Sequence, residues 1–167
     1  MKFIKLIIIS IIILFLLITC AGLLFPPNVT VMRSVNINAP EDSVYCMLSN
    51  MNNWQRWLFD SERSPKILSQ NSKGLNAQAQ VGKSKITITQ VTDSSIESVW
   101  ETGKIHNQIC DFVLGKNVQS PGIQVTWYFR QHLRWYPWER IGAVLNEKIL
   151  GPSMDSSFAR LKREMEQ

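Results

Sequence analysis

The pattern that decides the fold is the alternation in IQVTWYFRQHL, which runs from Ile123 to Leu133. Apolar residues occupy every second position from Ile123 to Phe129, and polar or amphipathic residues separate them. Because successive side chains of a strand point to opposite faces, this alternation predicts a β-strand with one buried face. That face carries Trp127 and Phe129, which need cover from another layer of structure.

A series of strand signals precedes this strand, and turn residues separate them. After Gly82, Ile86 and Ile88 share a face, and the alternation slips at Gln90 as if a bulge intervened. Short turns between successive strands predict an antiparallel meander, because parallel pairs need long crossovers. The further strand signals are 66–70, Ala77–Val81, Ser95–Glu101 with Trp100, and Ile105–Leu114.

The end of the chain has the periodicity of helices. One apolar pattern runs from Glu139 to Leu150, and Gly151-Pro152 is expected to break or kink that helix. An apolar stripe then recurs at helical spacing, and it needs the apolar face of the sheet as its partner. The stripe consists of Met154, Phe158, Leu161 and Met165.

The first half of the domain begins with an alternating strand, Val29–Ile37, followed by a helix that starts near Asn38. A short second helix carries Trp54 and Trp57 on one face. Arg33 interrupts the apolar face of the strand. Its guanidinium is therefore expected either to pair with a polar group of a ligand or to reach solvent at a bulge or strand end.

Four short stretches resemble motifs of the START-like or SRPBCC superfamily, which includes the polyketide cyclase/dehydrase and lipid-transport families. RSVNINAP at Arg33–Pro40 resembles the superfamily's opening motif, and NWQRW at Asn53–Trp57 resembles the motif after its first helix. GIQVTW at Gly122–Trp127 and FARLK at Phe158–Lys162 resemble its strand and closing-helix motifs. The order of predicted elements is also similar to that of the superfamily.

This resemblance implies an α+β helix-grip fold over residues 31–167, in which a curved antiparallel sheet wraps around a long C-terminal helix. It also implies a cavity that binds an apolar small molecule, such as a lipid or an aromatic metabolite. Members of the superfamily bind lipids, sterols, aromatic polyketides or hormones, and some catalyse cyclisation or dehydration. The residues expected to line the cavity are Arg33, Val35, Trp54, Trp57, Ile86, Ile88, Trp100, Trp127, Phe129, Met154 and Phe158, with Trp54 and Trp57 at its mouth.

Two alternatives to ligand binding remain open from the sequence. The aromatic side chains could fill the interior completely, which would leave a solid-core interaction module without a ligand. An enzyme of the cyclase/dehydrase type could instead use His106 as a general acid or base, provided that Glu101 or Asp111 converges on it.

We expect no metal site and no cofactor, because neither His106 nor His132 has ligands at metal-binding spacing. The scattered basic residues, 18 Lys and Arg against 13 Asp and Glu, do not predict a nucleic-acid partner.

The N-terminal stretch Leu6–Phe25 has no charged residue and is long enough, at about 30 Å as a helix, to cross a bilayer. We therefore expect a single-pass anchor over residues 1–25, a spacer over 26–30 and the helix-grip domain over 31–167. Lys2 and Lys5 predict a cytoplasmic N-terminus and an extracytoplasmic domain. The alternatives are a lipoprotein acylated at Cys20 and a cleaved signal sequence.

A cluster of aromatic residues, WYPW at 135–138, lies between Arg134 and Arg140. Amphipathic aromatics with flanking arginines suit the headgroup zone of a membrane. A loop packed over the cavity is an equally consistent interpretation of this segment.

Overall fold

The computed structural model describes residues 2–24, 26–59, 64–103, 106–116, 122–134, 136–143 and 146–167. Among them, one antiparallel sheet has the strand order β1-β7-β6-β5-β4-β3-β2. Its strands are β1 (Asn28–Ile37), β2 (Lys66–Ile67), β3 (Gln78–Val81), β4 (Ser84–Val91), β5 (Ser95–Thr102), β6 (His106–Lys116) and β7 (Ile123–His132). The helices are α1 (Lys2–Leu23), α2 (Glu41–Ser49), α3 (Trp54–Trp57) after a 3₁₀ turn (Met51–Asn53), α4 (Pro137–Ala143) and α5 (Asn146–Met165).

The predicted meander is confirmed, because each strand from β2 to β7 pairs with the next one along the chain. The predicted bulge is also present, as a register shift between Ile88 and Gln90 where β4 pairs with β5. The first strand, β1, closes the order by pairing with β7, so that Arg33 lies opposite Trp127. The predicted positions Phe25, Ile105 and Trp135 lie outside the described residues.

Aromatic rings hold the inner face of the sheet to the helices that cover it. The Phe112 ring centroid lies 5.5 Å from that of Trp57, 6.2 Å from that of Trp54 and 5.2 Å from that of Trp127. Trp54 also donates from Nε1 to the Leu48 carbonyl at 2.7 Å, so its polar atom is satisfied inside the core. These contacts fix α3 against β6 and β7.

The C-terminal helix α5 differs from the prediction at one place. It continues through Gly151 and Pro152, so the predicted break there is wrong. Pro152 cannot donate a backbone hydrogen bond to the Lys148 carbonyl. The helix continues because Leu150 and Met154, on either side of Pro152, pack against the hydrophobic core.

The start of β7 approaches the end of β1 at Gly122. This glycine has φ +113°, and a Cβ added there would overlap the Ile37 carbonyl oxygen. Only glycine satisfies both the backbone angle and the close approach.

Gly122→Ala is therefore expected to destabilise the domain more than Gly74→Ala does. Gly74 also has a positive φ, +86°, but a Cβ there would meet no atom within 4 Å, so it isolates the cost of the dihedral angle. The additional overlap in Gly122→Ala should lower the free energy of unfolding by about 1–3 kcal/mol beyond the effect of Gly74→Ala. Urea unfolding of both variants, followed by tryptophan fluorescence, measures the difference, and equal losses would contradict this account.

Candidate ligand cavity between the sheet and the C-terminal helix

A cavity of about 240 Å³ lies between the inner face of the sheet and α5. Its walls combine aromatic and aliphatic groups with a few polar ones. The sheet contributes Trp100, Gln108, Cys110, Trp127 and Phe129, the helix α5 contributes Leu150, Ser153, Met154, Ser157 and Arg160, and the segment after α3 contributes Leu58 and Phe59.

The register of the sheet explains how the floor of the cavity is built. Trp100 lies opposite Gln108, and Cys110 lies opposite both Ser98 and Phe129. Trp100 donates from Nε1 to the Ser98 hydroxyl at 3.0 Å, and that hydroxyl donates to the Cys110 carbonyl at 3.3 Å. The buried serine therefore holds the Trp100 indole in place beside the cavity.

The cavity wall on α5 is tied to α3 by polar contacts. Ser157 donates to the Leu58 carbonyl at 3.3 Å, and Arg160 donates from Nε to the Trp57 carbonyl at 2.9 Å. Arg160 also donates from Nη2 to the Ser157 hydroxyl at 3.2 Å. These hydrogen bonds satisfy carbonyls at the end of a very short helix and leave a cationic side chain in the cavity wall.

Four of the residues expected to line the cavity do so: Trp100, Trp127, Phe129 and Met154. A second group lies in the packed core around it instead of on its surface, and consists of Trp54, Trp57, Ile86, Ile88 and Phe158. Trp54 and Trp57 were expected at the mouth, but both are completely buried, because α3 turns their rings onto Phe112. The next two residues, Leu58 and Phe59, take the position beside the cavity.

Arg33 and Val35 are not among the residues that line the cavity. The guanidinium of Arg33 crosses from β1 to α5, where Nε lies 3.4 Å from Asp155 Oδ1 and Nη2 lies 3.8 Å from Glu147 Oε1. It also lies against Gly151, where a Cβ would collide with it. Arg33 thus joins β1 to α5 through acidic residues of the protein itself, an alternative that the sequence pattern did not indicate.

The sequence patterns did not identify several of the residues that line the cavity. Gln108 and Cys110 lie on the same face as Trp100, but the alternation in β6 is indistinct and hid this face. Ser157 and Arg160 lie beside the apolar stripe of α5, and a polar residue in this position does not by itself indicate a cavity. The sequence signal that could have found Gln108 and Cys110 is their even spacing along β6, which places them on the same face as Trp100 once the two strands are paired.

Two of the three acid/base candidates, Glu101 and Asp111, lie outside the cavity. Asp111 lies opposite Glu97 and Tyr128, and Glu101 lies opposite Asn107. Both carboxylates alternate with the inward residues Trp100 and Cys110, so they occupy the outer face of the sheet, about 13 Å apart along the strand direction. His106 begins β6 opposite Thr102, and its side chain lies outside the described part of the structure.

Asp111 belongs to a charged cluster on that outer face. Arg130 Nη2 lies 3.2 Å from Glu97 Oε2 and 3.7 Å from Asp111 Oδ2, whereas Asp111 Oδ1 is buried without a hydrogen-bond partner. Burial raises the pKa of Asp111, Arg130 opposes this rise, and Glu97 adds to it. In the cavity itself, burial raises the pKa of Cys110 to about 12, so its thiol stays protonated and acts as a small apolar wall residue.

The described residues contain no group of three or more His, Cys, Asp or Glu side chains that could hold a metal ion. No protein-family model matches the chain, and no curated protein matches it in sequence.

Solved structures do match the chain. A protein from Nitrosospira multiformis is similar with a TM-score of 0.65 at 16% identity over 81% of this chain and 95% of that one. A START superfamily protein from Mycobacterium smegmatis has a TM-score of 0.63 at 12% identity over 83% of this chain and 98% of that one. The chain has the helix-grip fold. The fold expected from the sequence motifs is thereby confirmed.

A third similar structure is the di-domain ARO/CYC protein BexL from the BE-7585A biosynthetic pathway, with a TM-score of 0.61 at 13% identity. The match covers 84% of this chain and 51% of that protein. At these identities the likeness establishes the helix-grip fold, and function depends on the cavity itself.

Asp111→Asn tests whether the partly buried carboxylate of Asp111 lowers the free energy of unfolding. Because burial raises the pKa of Asp111 in the folded state, the folded protein binds its proton more tightly, and stability falls as pH rises above the usual range for a carboxyl group. We expect Asp111→Asn to increase the free energy of unfolding near pH 7 and to lose this advantage near pH 3, where the carboxyl group is protonated in both states. Urea unfolding at the two pH values measures this, and a loss of stability near pH 7 would show that the Arg130 pair outweighs burial.

Proposed function

We propose that this protein binds a small apolar molecule in its helix-grip cavity while α1 tethers it to a membrane. The observation that carries the proposal is the cavity of about 240 Å³, whose walls include Trp100, Trp127, Phe129, Leu150 and Met154. A solid-core interaction module would have filled this space. Burial of apolar ligand surface at roughly 25 cal/mol per Å² would provide the affinity.

The cavity volume limits the class of ligand. It exceeds the roughly 150 Å³ of an engineered cavity that holds benzene, and it falls below the roughly 300–1,000 Å³ typical of sites for drug-sized ligands. A fused pair of rings or part of an acyl chain fits this space. A complete phospholipid or an extended polyketide does not fit without an opening of the walls.

The polar residues of the wall favour a ligand with an anionic end. Among the described lining residues, Arg160 carries a positive charge and none carries a carboxylate. Gln108, Ser153 and Ser157 supply additional hydrogen-bonding groups. A small carboxylic acid with an apolar body therefore complements this cavity better than a hydrocarbon or an amine does.

The proposed tether is α1, in which Phe3–Leu23 is long and apolar enough to cross a membrane and is almost entirely exposed. Its length of about 31 Å matches the hydrocarbon core of a bilayer. We propose residues 1–25 as the anchor, 26–30 as the spacer and 31–167 as the binding domain. Lys2 and Lys5 favour a cytoplasmic N-terminus and an extracytoplasmic domain.

The positions of Glu101 and Asp111 favour binding over cyclase or dehydrase chemistry, because this chemistry needs one of them to converge on His106. Glu101 and Asp111 lie on the outer face of the sheet, where they cannot contact a molecule in the cavity. Cys110, which does line the cavity, is held as a neutral thiol.

Cys110→Phe is expected to fill the cavity and abolish binding. The matched control is Cys46→Phe, because Cys46 is an exposed cysteine on α2, away from the cavity. With the full chain in lipid nanodiscs, naphthoate and octanoate should quench the fluorescence of the wild type and of Cys46→Phe, through Trp100 and Trp127, and should leave Cys110→Phe unchanged. Equal responses in all three proteins would mean that neither probe enters the cavity.

Naphthoate is also expected to bind more tightly than its uncharged methyl ester. A charge-assisted hydrogen bond from Arg160 contributes about 1.5–3 kcal/mol, which corresponds to at least about a tenfold difference in Kd. Titration of the wild type near pH 8 with each probe measures the ratio, and the Cys110→Phe protein corrects for partition into the nanodisc lipid. Tighter binding of the ester would rule out an anionic end for the ligand.

A further inference from the structure

We propose that the end of the helix-grip domain next to α1 lies in the headgroup region of the bilayer. We further propose that the cavity exchanges its ligand, through this end, with the lipid leaflet that the domain contacts. The inference rests on the proposed function, because it names the source of the bound molecule.

The cavity floor belongs to the end of the sheet that is joined to α1. β1 begins at Asn28, shortly after α1 ends, and Asn28 lies opposite His132. One row further into the sheet, Gln131 lies opposite Gln108, which in turn lies opposite Trp100. At about 3.3 Å per residue, Phe129 is only about 10 Å from this end of the sheet, so the cavity begins close to the anchor.

The helical wall of the cavity lies at the same end. α5 starts there, because Arg33 in the middle of β1 reaches Glu147 and Asp155 in the first half of the helix. The opposite end of α5 lies at the far end of β1, where the Asn38 amide donates to Glu166 Oε1 at 2.9 Å. Both walls of the cavity are therefore closest to the end of the domain that carries the anchor.

A direct contact sets the depth of this end relative to α1. Gly22, in the last turn of α1, is buried, and a Cβ added there would overlap Pro137 of α4. α4 therefore packs directly on the end of the apolar helix, which is the level at which a spanning helix leaves the hydrocarbon. If α1 spans the bilayer, α4 must lie at the bilayer surface.

The surface of α4 has the chemistry of that level. Trp138 is 60% exposed and stacks on Tyr136, with ring centroids 5.0 Å apart and planes inclined by 10°. Ile149, at the start of α5, is 67% exposed. Exposed apolar and amphipathic rings of this kind are stabilised in the interface between water and lipid.

Basic residues accompany these apolar groups at the same end of the domain. Arg134 is exposed beside α4, and its backbone carbonyl accepts a hydrogen bond from Arg140 Nε at 3.2 Å. Lys83 is exposed at the tip between β3 and β4, a turn whose neighbour Ser84 lies opposite Thr102. Cations at this level attract anionic headgroups, which favours a lipid surface over a protein partner.

The depth of this end can be measured with a fluorescent label. In the full chain with Cys20→Ser and Cys46→Ser, the remaining Cys110 is buried and unreactive, so a single new cysteine can be labelled with an environment-sensitive dye. The labelled positions are Trp138→Cys and Ile149→Cys, and the control is Asp93→Cys in the exposed turn between β4 and β5 at the opposite end. The proteins are reconstituted in vesicles of phosphatidylcholine and phosphatidylglycerol.

We expect lipids with a nitroxide near the headgroup to quench the dye at 138 and 149, and iodide in solution to quench the dye at 93. Quenching of all three labels by iodide alone would overturn the proposal. Protection of position 138 from both quenchers would also overturn it, because it would identify a protein contact, such as a second copy of the chain, on this surface.

The source of the ligand is tested with Trp138→Glu. The introduced carboxylate should be repelled by the anionic vesicle surface, and position 138 does not line the cavity. A photoreactive fatty acid dissolved in the same vesicles should label the wild-type cavity, and the variant should be labelled several-fold more slowly while it binds octanoate from solution with an unchanged Kd. Equal labelling rates would overturn the membrane route and leave binding intact. Absence of labelling and of octanoate binding in both proteins would instead show that the proposed function itself is wrong.

Discussion

The packing of aromatic rings on the inner face of the sheet is the interaction on which the rest of the molecule depends. Phe112 contacts rings from α3 and from β7, and Trp127 continues the chain of contacts to Phe158 of α5 at a centroid distance of 6.0 Å. This cluster covers one part of the sheet with large rigid groups. The cavity remains where α5 spans Trp100, Cys110 and Phe129 without a side chain large enough to fill the gap.

Local alternation and helical spacing determined what could be predicted. The pattern of Ile86, Ile88 and Gln90 located both a strand and its bulge, and the alternation after Ile123 located β7. Helical spacing assigns a face but not a depth, which is why Trp54 and Trp57 were placed at a mouth and lie in the core. Depth depends on what other elements contribute, and here that element is Phe112 from a strand more than fifty residues away.

Long-range polar contacts were beyond the sequence pattern for the same reason. The position of Arg33 on an apolar face indicated that its charge needed a partner, but the partners, Glu147 and Asp155, are separated from it by most of the domain. Arg160 and Ser157 were missed because a polar residue beside an apolar stripe usually faces solvent. Only the arrangement of α3 under α5 turns these two side chains toward a cavity.

The proline inside α5 has a mechanical consequence. Pro152 removes the hydrogen bond that would reach the Lys148 carbonyl, so the segment from Asn146 to Gly151 is joined to the remainder of the helix by fewer backbone bonds. This segment carries Leu150 of the cavity wall, whereas Leu161, further along, is completely buried. The first turns of α5 are thus held to the remainder of the helix by one backbone hydrogen bond fewer, so their local unfolding should cost less free energy than displacement of the whole helix.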